Sequence, residues 1–411
     1  MPETPDRLRV LVVAPHLDGA GLGEVYSIFK WLEALAERTD LTVVTLKRDD
    51  RLKAQLPGAN VIVFHEPQLL FRMQRFNAVA KPWQPIFFAR LRRWLRSKLA
   101  AGERWDIVHQ ILPQAMRYAV PLAGLGVPYV VGPLGGSLET PEAFKTEVEK
   151  GGLLARLRAL DHWRLRHDRS LRRGYENADL VLGVAPYIQD TLAAAGIRLK
   201  RFEAVLERAH EGTFPEVTRT SGAGEAHLLH VGRAIRTKGL RDVIRALARL
   251  TDLPDVRLTS AGDGPDLAAC KAEARALGVA DRVTFLGRVP REQVDALYAA
   301  ADVFCFPSFR EPMGGVFFEA MEWGLPVITA ARGGPDFILD DASALKLPVD
   351  TPPRFAAAIE GAIRDLANDP EKRRAMGAAA AERLRSFGGW PDKAAGLERL
   401  YREVLDARAG R

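Results

Sequence analysis

Cysteine is scarce: the chain has two in 411 residues, Cys270 and Cys305, at neither a metal-ligand spacing nor the even, close-set pattern of a disulfide framework. Both read as small buried hydrophobes in a reducing compartment. No apolar run approaches the ~20 residues that a membrane-spanning helix requires. The earliest apolar run, Val10 to Ala14, has the length of a strand and not of a secretory signal. No Asp-x-Asp and no His/Cys cluster at ligand spacing occurs, so neither a metal nor another cofactor is expected. Aromatic residues are too sparse in the basic stretches for a nucleic-acid stacking platform, and no nucleic-acid partner is expected. What is present is an ordinary apolar content, the mark of a globular chain, and a length beyond one core, which suggests two domains. A net charge of +7 calls for an acidic partner: a nucleotide, an anionic membrane or a nucleic acid.

Apolar strands alternate with helical patterns throughout. In the first half the runs Arg9–Ala14, Leu41–Leu46, Val61–Phe64, Ile107–His109, Tyr129–Val131 and Glu176–Val184 read as buried parallel strands. In the second half Leu228–Val231, Val256–Ala261, Val283–Gly287, Val303–Phe306 and Val327–Ala330 do the same. The fold class is therefore α/β with doubly wound parallel sheets, whose ligands bind outside the carboxyl ends of the strands. Glycines follow several of these ends. Gly19, Gly21 and Gly23 follow the first strand, without the spacing of a dinucleotide fingerprint. VVGPLGGS ends another strand and offers Gly135 and Gly136 for close approach to a ligand. His109 stands at a strand end, as a ligand contact or as a satisfied polar group. Two basic helical stretches, Phe87–Leu99 and Leu153–Tyr175, either lie on an anionic membrane or pack on their own domain with solvated arginines.

Two constellations carry the chemistry. After the strand Leu228–Val231, the loop Gly232–Gly239 presents Arg233 and Lys238, two cations where a departing diphosphate needs neutralising. Further on, Phe306–Asp336 reads as a loop, a helix from Gly315 to Trp323, a turn, a strand and a second glycine turn at Gly333 and Gly334. Glu311 precedes that helix and Glu319 lies about one turn inside it, with Gly314 and Gly315 between them at a helix N-terminus suited to phosphate. Carboxylates beside a phosphate must hold hydroxyls, so the ligand that fits is a nucleoside diphosphate carrying sugars at both ends.

Phe306 to Glu319, followed by Ala320, Met321, Gly324, Pro326 and Val327, resembles the E-x7-E signature of the family 4 retaining glycosyltransferases. The loop with Arg233 and Lys238 resembles that family's GR-x4-KG motif, and GPLGG resembles the loop of one of its subgroups. The resemblance implies a GT-B fold: two Rossmann-like domains facing each other across a cleft. Residues 1–205 would form the acceptor-binding domain, 206–226 the linker and 227–385 the nucleotide-sugar domain, with 386–411 a terminal helix crossing back. It also implies that Glu311 binds donor-sugar hydroxyls, Glu319 binds ribose hydroxyls, and Arg233 and Lys238 bind the diphosphate. Catalysis falls to Glu311, Arg233 and Lys238; Gly262, Arg288, Val289, Gly314, Gly315 and Val316 complete the donor site. Gly21, Gly23, His109, Gly135 and Gly136 form the acceptor or phosphate loops. Many family members carry a histidine near the reacting carbon, where this chain has Gly132 and Pro133, so that role is not transferred. The expected reaction moves a sugar from a UDP- or GDP-sugar to a saccharide or lipid-linked saccharide in cell-surface polysaccharide or glycolipid assembly. The expected location is cytoplasmic, with the inner face of the membrane as a peripheral site. The rival reading is a non-catalytic basic nucleotide-fold protein that binds membrane or nucleic acid.

Overall fold

The computed structural model describes residues 7–21, 23–66, 83–148 and 163–410. Runs such as VLVV at 10–13 and LVLG at 180–183 have no polar face to offer solvent, so their strands must be covered on both sides. Seven of them, β1 (Arg9–Val13), β2 (Asp40–Lys47), β3 (Asn60–His65), β4 (Ile107–Gln110), β5 (Tyr129–Leu134), β6 (Leu180–Gly183) and β7 (Phe202–Ala204), form a sheet in the order β3-β2-β1-β4-β5-β6-β7. Six more, β8 (Ala226–Val231), β9 (Val256–Ala261), β10 (Val283–Gly287), β11 (Val303–Cys305), β12 (Val327–Ala330) and β13 (Ala344–Leu347), form a second in the order β10-β9-β8-β11-β12-β13. Every neighbouring pair is parallel. Each sheet reverses its winding beside its first strand, at β1/β4 and at β8/β11, where the loops diverge and leave a crevice.

The chain forms two compact units. Met1–Ser137, Arg156–Ala209 and Gly389–Arg411 make the first; Leu138–Ala155 and His210–Gly388 make the second. The division differs from a simple boundary near residue 205, because the segment after β5 belongs with the second unit. The reason is packing: Phe144 is fully buried in that unit's core with Leu240, Phe309 and Phe355.

In the first unit, the helices Glu24–Ala36 and Trp390–Ala409 cover one face of the sheet through Ile28, Leu32, Leu35, Leu397 and Tyr401. The helix Trp83–Ala100 covers the other, and its apolar stripe is spent there: Phe87, Phe88, Leu91 and Leu95 are buried, with Trp94 and Leu99 packed against the same cluster. That stripe is not available for insertion into a membrane. Arg92 also turns inward, donating to the carbonyls of Pro121 and Ala123 at 2.6 and 2.8 Å. Arg90, Arg93 and Arg96 stay on the outer face. Of the second basic stretch, 153–162 lies outside the described residues. The remainder is not one helix: the Asp168 carboxylate accepts from the amides of Ser170 and Leu171 and starts a separate helix, Arg169–Glu176. Another difference falls at Gly333 and Gly334, where Gly333 (φ 71°) caps a short helix, Gly334–Ile338, in place of a plain turn.

Candidate active site

The loops that follow β8 and β11 meet at the winding reversal of the second sheet. Glycine permits the approach: a Cβ on Gly262, whose φ is +143°, would stand 1.8 Å from the carbonyl oxygen of Gly232. The loop after β9 therefore rests directly on the loop after β8. The turn Arg236–Lys238 is then knitted to the 306–309 loop, since Ser308 Oγ and the Phe309 amide both donate to the Thr237 carbonyl at 3.1 Å. From below, His230 Nε2 donates to the Lys238 carbonyl at 3.1 Å. His230 is fully buried, and burial pushes its pKa down to about 4, so the ring is the neutral Nε2–H form at neutral pH.

Held in this way, Lys238 donates from Nζ to Glu311 Oε2 and sits 5.5 Å from the Phe306 ring centre. Glu311 is 8% exposed. Beyond it, Gly314 (φ 92°) opens the helix Gly315–Glu322 without any side chain capping the free amides, and with no acidic residue in the first turn. Gly315 and Val316 lie half-buried in that turn. Glu319, also 8% exposed, receives Arg291 Nη1 on Oε1 at 2.8 Å and the Tyr298 hydroxyl on Oε2 at 3.0 Å. Arg233 is exposed and has no ion pair among the described residues. Gly262 donates to the Gly287 carbonyl at 2.7 Å, which brings the exposed Arg288 and half-buried Val289 beside the same loops. The ten donor-side candidates thus occupy one rim of the second unit. Within it a cation and a carboxylate are already paired beside an uncapped helix N-terminus, a geometry able to receive a phosphate group and hydroxyls together.

The first unit gathers other groups at its own winding reversal. Gln114 is the hub: its amide N–H lies 3.3 Å from Glu24 Oε1, its carbonyl accepts from the Gly135 amide at 3.0 Å, and its Nε2 donates to Glu207 Oε2. Gly21 donates to Asp18 O, and Gly23 (φ 60°) precedes the helix Glu24–Ala36. The Gly136 carbonyl accepts from Tyr187 Oη at 3.0 Å. His109 departs from the expectation that it faces a ligand. It is fully buried, donating from Nε2 to the Gly132 carbonyl and accepting at Nδ1 from the Tyr401 hydroxyl, both at 2.6 Å. Burial pushes its pKa down to about 4, with the Gly132 hydrogen bond acting the other way. It fastens strand β4 to the last helix and presents neither nitrogen to a ligand.

Several of these residues carried little signal. Arg291 and Tyr298 lie seven apart on the helix Arg291–Ala300, one face two turns long, which is the only sequence hint that both reach Glu319. Gln114 and Glu207 follow no pattern at all.

Glu207 supplies a prediction about stability. Burial, with the nearby Glu24 charge adding to it, raises its pKa from the usual 4.5 to about 8; the Gln114 bond opposes the shift. A raised folded pKa means that the stabilising contribution is complete below about pH 4.5 and is lost as the pH rises through 8. Glu207→Gln, a stand-in for the protonated acid, should therefore raise the thermal midpoint at pH 8 by roughly 2–4 °C and much less at pH 5. Melting curves at the two pH values check this; an equal or lower midpoint at pH 8 refutes it.

Residues 219–383 match the family described as Glycosyl transferases group 1, and residues 24–206 match the family described as Glycosyl transferase 4-like domain. Together the two matches span well over half of the chain. The chain belongs to the group 1 glycosyltransferases. Among relatives of this glycosyltransferase, a glycogen synthase of Mycobacterium tuberculosis is 28% identical over 313 residues, 75% of this chain and 69% of its own length. A GDP-mannose-dependent alpha-(1-6)-phosphatidylinositol monomannoside mannosyltransferase of Mycolicibacterium smegmatis is 30% identical over 259 residues, 58% of this chain and 66% of that protein. The Anabaena HepE protein, solved in complex with UDP, shares the fold with a TM-score of 0.66 at 18% identity, covering 96% of this chain and all of its own. These neighbours support the assignment of two Rossmann-like GT-B domains to this glycosyltransferase.

Proposed function

We propose that the chain is a retaining, metal-independent glycosyltransferase that moves a sugar from a nucleoside diphosphate sugar to a saccharide or lipid-linked saccharide. The observation that carries this reading is the Lys238–Glu311 pair beside the uncapped helix N-terminus at Gly314 and Gly315. When a donor enters, the diphosphate takes the Lys238 ammonium and the helix amides, and the Arg233 guanidinium closes on its outer side. The Glu311 carboxylate, released from the lysine, accepts hydrogen bonds from hydroxyls of the sugar. Glu319, oriented by Tyr298 and Arg291, accepts from the ribose hydroxyls, while Gly262, Arg288, Val289 and Val316 line the nucleoside.

As the bond between the sugar and the phosphate lengthens, negative charge grows on the bridging oxygen, and the fixed cations stabilise it where it forms. The acceptor attacks from the face the phosphate is leaving, and the departing phosphate oxygen takes its proton, so configuration is retained. This route asks for no protein base. The charge on the diphosphate is met by Arg233, Lys238 and the helix amides, and among the described residues no three His, Cys, Asp or Glu side chains stand where they would hold a metal ion. The acceptor groups fall to the first unit, around Gly21, Gly23, Gly135 and Gly136. Assembly of a cell-surface polysaccharide or glycolipid on the cytoplasmic side is the setting we propose. Among the described residues no helix is long and apolar enough to cross a membrane. With the apolar face of the helix Trp83–Ala100 buried, contact with an anionic bilayer would run through the charges of Arg90, Arg93 and Arg96.

One relative is GDP-mannose-dependent and one structural neighbour was solved with UDP, so both bases belong in the test. Isothermal titration with UDP, GDP and ADP in the absence of divalent metal should show selective binding. Glu319→Ala should weaken that binding by about 1–3 kcal/mol, through lost charged hydrogen bonds to hydroxyls. A folded Glu319→Ala protein with unchanged affinity removes the ribose assignment. No nucleotide binding by the folded wild type would favour the non-catalytic reading.

A further inference from the structure

The second unit contains a piece of chain from the first half of the sequence, and that piece touches the turn that holds Lys238. After Ser137 the chain enters the second unit, and Thr140 Oγ1 accepts from Arg310 Nη1 at 3.1 Å, one residue before Glu311. Phe144 is buried against Phe309 and Phe355, with ring centres 4.5 and 5.9 Å apart. One helical turn further on, Glu147 reaches into a group of arginines. Its Oε2 accepts from Arg236 Nε at 2.7 Å, and Arg245 reaches both its oxygens at 3.2 Å.

Arg236 is the centre of this arrangement. It is 6% exposed, and its guanidinium packs on one side of the paired rings of Phe144 and Phe309, at 5.4 and 5.3 Å from their centres. Nη1 and Nη2 bind the two oxygens of the fully buried Asp242 at 2.6 and 2.9 Å, which leaves Nε for Glu147. A planar guanidinium hydrogen-bonded on two edges and packed against a pair of rings is held in one orientation. Because Arg236 opens the three-residue turn Arg236–Lys238, fixing its side chain fixes the direction in which Lys238 leaves the turn. Burial alone would raise the Glu147 pKa, but hydrogen bonds from Arg245 and Arg236 hold it below the usual range, so the carboxylate is charged at neutral pH.

We infer that Glu147, on the segment 138–148, is a positioning residue for Lys238, acting through Arg236. The inference rests on the transferase reading for its kinetic consequence and on the hydrogen-bond geometry alone for its structural one. Glu147 touches none of the candidate donor contacts, and the segment that carries it continues directly from the GPLGG loop. The same short stretch of chain therefore ends a candidate acceptor loop of the first unit and braces the phosphate-binding lysine of the second.

The test compares wild type, Glu147→Ala and Glu147→Gln by steady-state kinetics and by amide hydrogen exchange. The alanine variant should lose about tenfold in kcat with the donor KM within about twofold, and the glutamine variant, which still accepts a hydrogen bond from Arg236, should fall between. Exchange should rise in peptides covering 233–240 and stay unchanged over β9. A kcat within about twofold of wild type for Glu147→Ala, or an equal loss through KM, overturns the inference. If wild type transfers no sugar from any donor, the transferase reading fails separately; raised exchange confined to 233–240 then upholds the positioning role, and unchanged exchange there ends it.

Discussion

Replacing Lys238 by alanine should lower sugar transfer at saturating donor by about a hundredfold or more, while donor affinity falls by roughly tenfold or less. The asymmetry follows from where the charge is needed. On the proposed reading the ground-state diphosphate would also have Arg233 and the amides at Gly315 to satisfy it, and Glu311 is the only carboxylate paired with the lysine among the described residues. As the bridging oxygen takes up a full charge, Arg233 and the amides, already engaged in the ground state, would replace the lost ammonium only in part. The substitution also strands Glu311: an 8% exposed carboxylate loses its cation and repels the incoming phosphate. Single-turnover rates and nucleotide titration on the same protein separate the two effects. Equal losses in rate and affinity would make Lys238 a simple binding residue.

Arg236→Ala should destabilise the second unit by about 3–5 kcal/mol, because it removes one partner from a buried ion pair and leaves the other uncompensated. Asp242 is fully buried; burial pushes its pKa up and the Arg236 hydrogen bonds push it back. Without the guanidinium it must either ionise among apolar side chains or take up a proton. The space beside the Phe144 and Phe309 rings is left empty as well. Urea unfolding monitored by a probe in the second unit measures the loss. Arg236→Lys should recover only part of it, since an ammonium cannot bind both Asp242 oxygens along one edge and Glu147 along another. A loss below about 1 kcal/mol for the alanine variant would mean that Arg245, 3.3 Å from Asp242, carries the pair by itself.

Much of the fold was legible. Strands such as Val256–Ala261, Val283–Gly287 and Val327–Ala330 appear with the bounds that their apolar runs suggest, because glycine, proline or charged residues stand at one or both of their ends. The short edge strands β7 and β13 did not stand out: Phe202–Ala204 is three residues long, and Ala344–Leu347 carries a lysine. The basic stretches left two readings open for a different reason. Their arginines are as numerous as on a membrane-surface helix, but Arg92 and Arg172 bind backbone carbonyls inside the first unit, a use that composition does not distinguish from solvation. In the candidate site, charged residues within glycine loops were readable, because such loops have few other reasons to hold them. The groups that aim these charges were not. Arg236 is one more arginine in a basic loop until Asp242 and Glu147 are brought beside it. Glu147 lies 89 residues before Arg236 in the chain. His109 shows the converse: its place at a strand end suggests a ligand, and only the Tyr401 hydroxyl, from a helix 292 residues away, shows that the ring is already taken.

That last helix has a consequence for how the protein is made. Trp390, Leu397, Tyr401 and Val404 belong to the same buried cluster as Val10, Ile28 and Leu32. A ribosome working from the amino terminus delivers β1 long before the helix that covers it, with the whole of His210–Gly388 synthesised in between. Nascent chains thus carry an open apolar face until that helix emerges, during which the later unit can finish folding before the earlier one. Closure of the first unit therefore waits for residues 390–404, which follow the whole second unit in the order of translation.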